Sequence, residues 1–246
     1  MMTITSLEND KVKKFRKLQK RKYREEYNEY IIEGHHLILE AFKRGAILEL
    51  IVLEGKDTPV PAPYNYYSYE VMKKISAMDN PPEVMALCKM LDIDNDIKGD
   101  KILVLDEIQD PGNLGTIIRS AVAFNIDTIV LTENTVDLYN PKVLRATQGM
   151  FFHINIITKK AMDLVLLLQN LGIPVYGTDV CGGFDVRDLE PEEKEKFALV
   201  MGNEGNGVRQ SIKEQCTKNL YIEMNRNVES LNVGIAASIL LYELGR

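Results

Sequence analysis

Phe197-Ala-Leu-Val-Met201 is an unbroken apolar run, and Gly202-Asn-Glu-Gly-Asn-Gly207 directly after it sets three glycines among two amides and a carboxylate. Five apolar residues without polar alternation read as a strand buried on both faces, which demands cover on both sides of its sheet. The chain then repeats the device. Tyr221-Ile-Glu-Met224 is a second short strand, Glu229-Ser-Leu-Asn-Val-Gly234 follows, and 235–241 is an apolar, Ala-rich run that reads as a buried helix. Two strand ends that each deliver an irregular polar loop make a crevice of the kind in which α/β sheets bind ligands. Glycine lets such a loop take positive φ and approach a ligand closely. No Lys-Ser/Thr follows Gly207, so this is not a Walker A loop, and the G-x-G-x-x-G nicotinamide fingerprint is absent. Alone, Ser230 reads as a helix N-cap.

A third segment changes the meaning of the first two: Asp110-Pro-Gly-Asn113-Leu-Gly115-Thr-Ile-Ile-Arg119. Asn113-x-Gly-x-x-x-Arg119, Gly202-Asn-Glu204-x-x-Gly207 and Glu229-Ser230-Leu231-Asn232 together resemble the three motifs of the SPOUT class of methyltransferases. More narrowly they resemble its SpoU/TrmH branch, which methylates the ribose 2′-hydroxyl of RNA. The intervening Val136-Asp-Leu-Tyr-Asn-Pro-Lys142, Arg145 and Gly149 match that branch too, and the resemblance covers nearly the whole chain.

At 246 residues the chain holds one large domain or two modest ones. No apolar run approaches the ~18 residues that span a bilayer. The first residues are polar and then basic, without a signal-peptide core, so the expected compartment is the cytoplasm. Cys88, Cys181 and Cys216 are scattered, and His35 and His36 point about 100° apart on a helix, so neither a disulfide framework nor a metal site is suggested. The net charge is −6, yet 11–24 reads KVKKFRKLQKRKYR, with nine basic residues and no acidic one. A single-sign run of this density repels itself and gains little from internal pairs, and it makes more sense beside phosphates. Lys13, Lys14, Arg16, Lys17, Lys20 and Arg21 are accordingly candidate RNA contacts.

Residues 3–30 read as largely helical, with Val12, Phe15, Leu18 and Tyr23 as sparse apolar points on a basic surface. Strand candidates follow at 30–33, 48–53, 64–69 and 84–90, with helices over 37–42 and 71–76, which together make a small α/β module. The tyrosines at 64–69 read as half-buried packing residues. The acidic, turn-rich LDIDNDIKGDK of 91–101 breaks the periodicity. The expected organisation is therefore a first domain over 1–93, a linker over 94–101 and a second domain over 102–246. In the second domain, strands at 102–105, 127–131, 154–157, 174–176, 197–201 and 220–223, with helices over 113–124 and 161–171, predict a mainly parallel sheet of about six strands.

The resemblance implies more than the spacing does. It makes the front half an RNA-binding domain similar to ribosomal protein L30e, although Asp79-Asn-Pro-Pro-Glu83 stands where the family carries a Thr-Pro-Gln-Gly-like turn. It implies a deep trefoil knot near the third motif, which ordinary topology rules would not suggest. It implies S-adenosylmethionine as donor, held by backbone around Gly202, Ile222 and Leu231 with Met224 nearby, and a homodimer with the site at its interface. It places Arg119 beside the ribose as the catalytic residue, either as base or as electrostatic stabiliser, because a free guanidinium is effectively always charged. Asn113 would hold the loop or the ribose, and Glu204 would pair with Arg119. Ser230 and Asn232 would stand at the helix start, and Lys142 and Arg145 would contact phosphate. The expected substrate is ribosomal RNA. Transfer RNA, or a non-catalytic RNA-binding role with the same fold, are the alternatives.

Overall fold

The computed structural model describes residues 3–91, 96–180 and 182–245. In chain order its elements are α1 (Asp10–Lys17), α2 (Arg21–Tyr27), β1 (Glu29–Glu33), α3 (His35–Lys43), β2 (Ile47–Leu53), β3 (Tyr64–Tyr67), α4 (Tyr69–Ile75), β4 (Val84–Lys89), β5 (Lys101–Leu105), α5 (Pro111–Ala123), β6 (Thr128–Leu131), α6 (Pro141–Thr147), β7 (Asn155–Thr158), α7 (Ala161–Asn170), β8 (Val175–Thr178), β9 (Phe184–Asp185), β10 (Phe197–Met201), α8 (Gln210–Lys213), β11 (Lys218–Tyr221) and α9 (Val233–Leu244). They fall into two compact units, Met1–Asp92 with Asp137–Phe152, and Ile93–Val136 with His153–Arg246.

The first unit is a four-stranded sheet in the order β1-β4-β2-β3, antiparallel except for β2 with β3. Its amino-terminal stretch, expected to be largely helical, carries the two helices α1 and α2. Val12, Phe15 and Leu18 are buried in the core against Val71, Met72 and Ile75 of α4, so they are not sparse points on a basic surface. Gln19 donates from Nε2 to the Ile75 carbonyl at 2.9 Å in the turn between α1 and α2. Tyr69 opens α4 instead of ending β3, because the Ser68 hydroxyl caps that helix. Segment 137–152 groups with this unit. Arg24, 5% exposed, forms an ion pair with Asp137, and the Tyr30 and Tyr139 rings lie 4.7 Å apart.

The second unit is a seven-stranded sheet in the order β7-β6-β5-β10-β8-β11-β9, with every pairing parallel. It exceeds the expected six by β9, two residues too short to leave a periodic signal. Ile102, Val104, Ala198 and Val200 are buried with Leu164, Val165 and Leu168 of α7 and Ile212 of α8. The alternate residues Leu103, Leu105, Leu199 and Met201 are buried too, which explains the lack of polar alternation. The expected linker begins at 94 and 95, which lie outside the described residues. Its later part is tied to the sheet: the Lys98 backbone exchanges hydrogen bonds with the Thr128 hydroxyl, and Ile97 packs on the core.

Candidate active site

Parallel strands all point their carboxyl ends the same way, so the loops after β5, β8, β10 and β11 meet at one edge of the sheet. The loop after β5 turns into α5 through Asp110, whose Oδ1 accepts the Asn113 N–H at 2.8 Å, and Pro111 occupies the first helical position. The loop after β10 folds on itself. Asn203 and Gly207 exchange backbone hydrogen bonds of 3.1 and 2.9 Å, and the Asn203 carboxamide accepts from Gly205 and Asn206. Gly207 has φ +68°, and a Cβ on Gly202 would lie 2.0 Å from the Gly207 carbonyl carbon, so this turn is closed to any side chain at Gly202. The loop after β11 ends at Asn232, not Ser230. The Asn232 Oδ1 caps α9 by accepting from Gly234 N at 2.9 Å and Ile235 N at 3.3 Å.

Three carboxamide and carboxylate side chains join these loops. Glu204 accepts from the backbone of Gln109 at 3.0 Å and Asp110 at 2.9 Å, and from Asn113 Nδ2 at 3.0 Å. Asn113 Oδ1 in turn accepts from Asn232 Nδ2 at 2.8 Å. The relay Glu204–Asn113–Asn232 therefore fixes which way each amide faces, because each has one donor and one acceptor end engaged. Partial burial of Glu204 works against its charge, but the bonds from Asn113, Asp110 and Gln109 outweigh it and hold the carboxyl below its ordinary value of 4.5.

A cavity of about 280 Å³ opens between the loops after β8, β10 and β11. Gly202, Ile222, Met224 and Leu231 all line it, as do Glu204 and Ser230, over an apolar floor that includes Met201, Leu220 and Leu240. Among the described residues, the main-chain N–H and C=O groups of Gly202, Ile222, Met224 and Leu231 have no hydrogen-bond partner. Main-chain donors and acceptors beside an apolar pocket are what a ligand with hydrogen-bonding edges can use.

Arg119 stands elsewhere. It is exposed on α5, does not line the cavity of its own chain, and its guanidinium has no hydrogen-bond or ion-pair partner among the described residues. The expected Arg119–Glu204 pair is absent, since Glu204 is engaged by the loop before α5. The next residue, Ser120, meets Ser238 of α9 at 2.7 Å between hydroxyls, and α9 exposes an apolar stripe at Ile235, Ile239 and Tyr242.

The basic candidates divide in the folded chain. Lys13 pairs with Glu8, Lys14 with Glu29 and Arg21 with Glu25, at 2.9, 2.6 and 2.7 Å, so the run does find internal partners, brought to it by the fold. Arg16, Lys17 and Lys20 are exposed and in no ion pair among the described residues, and Lys17 lies over the Tyr23 ring. Lys142 is exposed on α6, whereas Arg145 turns toward the buried Glu33 carboxylate, 4.0 Å away. Arg209 carried no motif signal. It forks onto Asp106, itself 1% exposed at the end of β5, with bonds of 3.1 and 2.5 Å, and reaches Glu133 at 3.1 Å, pinning the exit of the glycine loop. Those carboxylates raise the Arg209 pKa further.

Residues 100–242 match the SpoU rRNA Methylase family. The chain belongs to that family. Residues 9–86 match the MRM3-like substrate binding domain. The 23S rRNA (guanosine(2553)-2′-O)-methyltransferase RlmP of Bacillus subtilis is 36% identical over 250 residues, which cover 99% of each protein. Among solved structures, an AdoMet-bound rRNA methyltransferase from Sinorhizobium meliloti aligns with TM-score 0.87 at 30% identity, over 99% of this chain and 97% of that one. The SpoU methyltransferase AviRb from Streptomyces viridochromogenes, in complex with AdoMet, aligns with TM-score 0.85 at 25% identity over 97% of both chains. The residues of this SpoU member fit such a donor. Free main-chain groups on Gly202, Ile222 and Leu231 suit an adenine edge, and apolar side chains suit its face.

Proposed function

We propose that this SpoU protein transfers a methyl group from S-adenosylmethionine to a ribose 2′-hydroxyl of RNA, with ribosomal RNA as substrate. The observation that carries the reading is the convergence of the three motif segments. The relay Glu204–Asn113–Asn232 borders a cavity whose main-chain groups are free to bind a ligand. S-adenosylmethionine, when bound, supplies a methyl on a sulfonium that departs as a neutral thioether. The chain's part is alignment and help with the hydroxyl proton. Gly202, Ile222 and Leu231 bind adenine through backbone, and Met224 and the apolar floor exclude water. Asn113 and Asn232 position the ribose or the loop that carries it, and Ser230 faces the same space. Arg119 is the catalytic residue: it orients the phosphate and either takes the 2′-hydroxyl proton itself as base or, staying charged, stabilises the developing alkoxide while that proton passes to solvent.

Arg119 does not line its own chain's cavity, so the reading requires a homodimer in which Arg119 completes the partner's site. Its neighbour Ser120 touches α9, whose apolar stripe at Ile235, Ile239 and Tyr242 is the contact surface in this proposal. The first unit engages RNA through Arg16, Lys17 and Lys20, and Lys142 has the same role. The trefoil knot and a cytoplasmic site of action complete the proposal. Among the described residues no helix is long and apolar enough to cross a membrane.

The test is methyl transfer from labelled S-adenosylmethionine to ribosomal RNA, followed by mapping of 2′-O-methyl positions in RNA from cells with and without the gene. One position lost with the gene, and restored by the purified protein, is the expected result. Donor binding without methylation of ribosomal RNA, and with methylation of transfer RNA, favours the transfer-RNA alternative. No donor binding favours a non-catalytic role.

A further inference from the structure

Three charged side chains line the cavity: Asp179, Glu204 and Lys213. Glu204 is engaged by the loop before α5. Asp179 and Lys213 form an ion pair of 2.7 Å, both at most a third exposed, and no motif of the family resemblance includes either. Their place in the sheet is specific. β8 lies between β10 and β11, and Asp179 is the first residue after β8. Its neighbours to either side are the strand ends that carry Gly202 and Ile222. Adjacent strands are about 4.8 Å apart, so the Asp179 backbone stands about one strand spacing from both expected adenine-binding edges, and all three residues line the same cavity. Backbone bonds set it there: Asp179 N donates to the Leu220 carbonyl at 2.9 Å, and its Oδ1 accepts from Val180 N at 2.8 Å.

We infer that Asp179, oriented by Lys213, binds the ribose hydroxyls of the adenosyl group and makes the site selective for ribonucleoside over deoxynucleoside ligands. This rests on the donor reading above. The ribose is the part of the ligand bonded directly to adenine, so the polar group nearest the adenine edges meets it first. A carboxylate offers about four acceptor positions, so its bonds from Lys213 and Val180 N do not preclude another from a sugar hydroxyl. The hydroxyls are neutral, which suits a pair whose charges cancel. The amino-acid end of the donor lies several bonds further from adenine.

The test is calorimetric titration of the full chain with 5′-methylthioadenosine, which lacks the amino-acid group, and with its 2′,3′-dideoxy counterpart. The wild type is expected to prefer the diol about tenfold or more, the range of a hydrogen bond to a charged group. Asp179→Ala is expected to erase the preference, and Asp179→Asn to reduce it. Because the readout is a ratio within one protein, partial loss of folded material does not imitate it. Lys213→Met is expected to weaken both preference and affinity by misorienting the carboxylate. An unchanged preference in Asp179→Ala overturns the inference alone. So does a loss seen with S-adenosylhomocysteine but not with methylthioadenosine, which would move Asp179 to the amino-acid end. Failure of the wild type to bind any adenosyl ligand overturns the donor reading and this inference with it.

Discussion

Replacing Glu204 with Gln removes the charge at the head of the relay while keeping its shape. Oε1 accepts from Asp110 N and Asn113 Nδ2, and Oε2 from Gln109 N at 3.0 Å. A glutamine keeps one acceptor, so two charge-assisted bonds become neutral and the third becomes an amide facing an N–H. Charged hydrogen bonds contribute about 1.5–3 kcal/mol and neutral ones about half as much. The Glu204 side chain is open to solvent, so each figure is discounted for screening, leaving a destabilisation of about 1–2 kcal/mol at pH 7. The pH dependence gives the sharper signature. Glu204 is held below 4.5 in the folded chain, so it binds fewer protons folded than unfolded. Its stabilisation is fully present above the unfolded value and is lost as pH falls through the folded one. Urea unfolding of wild type and variant from pH 7 to pH 3 is the assay. The gap between the two should be open at neutral pH and narrow progressively below pH 4.5. A gap that stays constant, or widens in acid, would refute the view that this carboxylate is held by its donors.

Three more outcomes follow from the geometry. Gly202→Ala should lose about 1–3 kcal/mol of stability and most donor binding, because its Cβ meets the Gly207 backbone at 2.0 Å and the turn must move; melting and calorimetry read both. Arg209→Met leaves Asp106, 1% exposed, without its counter-charge and should cost about 3–5 kcal/mol in urea unfolding, far more than Arg21→Met at an exposed pair. In RNA binding measured against salt, Lys20→Ala should lower the slope by roughly 0.7–0.9, whereas Lys13→Ala, already paired with Glu8, should change it less.

The strands of the second unit were legible because burial on both faces leaves runs such as Ile102–Leu105 and Phe197–Met201, which no amphipathic helix would carry. Asn113, Glu204 and Asn232 could be named from their spacing, but their mutual hydrogen bonds could not. Asn113 and Asn232 are 119 positions apart, and periodicity is blind at that range. The same blindness hid Arg209 on Asp106 and Arg24 on Asp137. It also made the basic run look self-repelling, because Glu29 lies outside the run in sequence but beside Lys14 in space. Asn232 rather than Ser230 caps α9 because the helix starts two residues later than its first polar residue suggested, and either side chain is an acceptable cap. The grouping of 137–152 with the first unit left no sequence trace either, since it rests on Arg24, Tyr30 and Tyr139 meeting across more than a hundred positions.

Single-turnover methyl transfer by Arg119→Ala, with S-adenosylmethionine affinity measured on the same preparation, tests the central claim most directly. Transfer to ribosomal RNA should fall by about 10²–10³ or more while donor affinity stays within a few-fold of wild type, because Arg119 acts on the ribose and not on the cavity. Wild-type transfer by this variant would contradict the account.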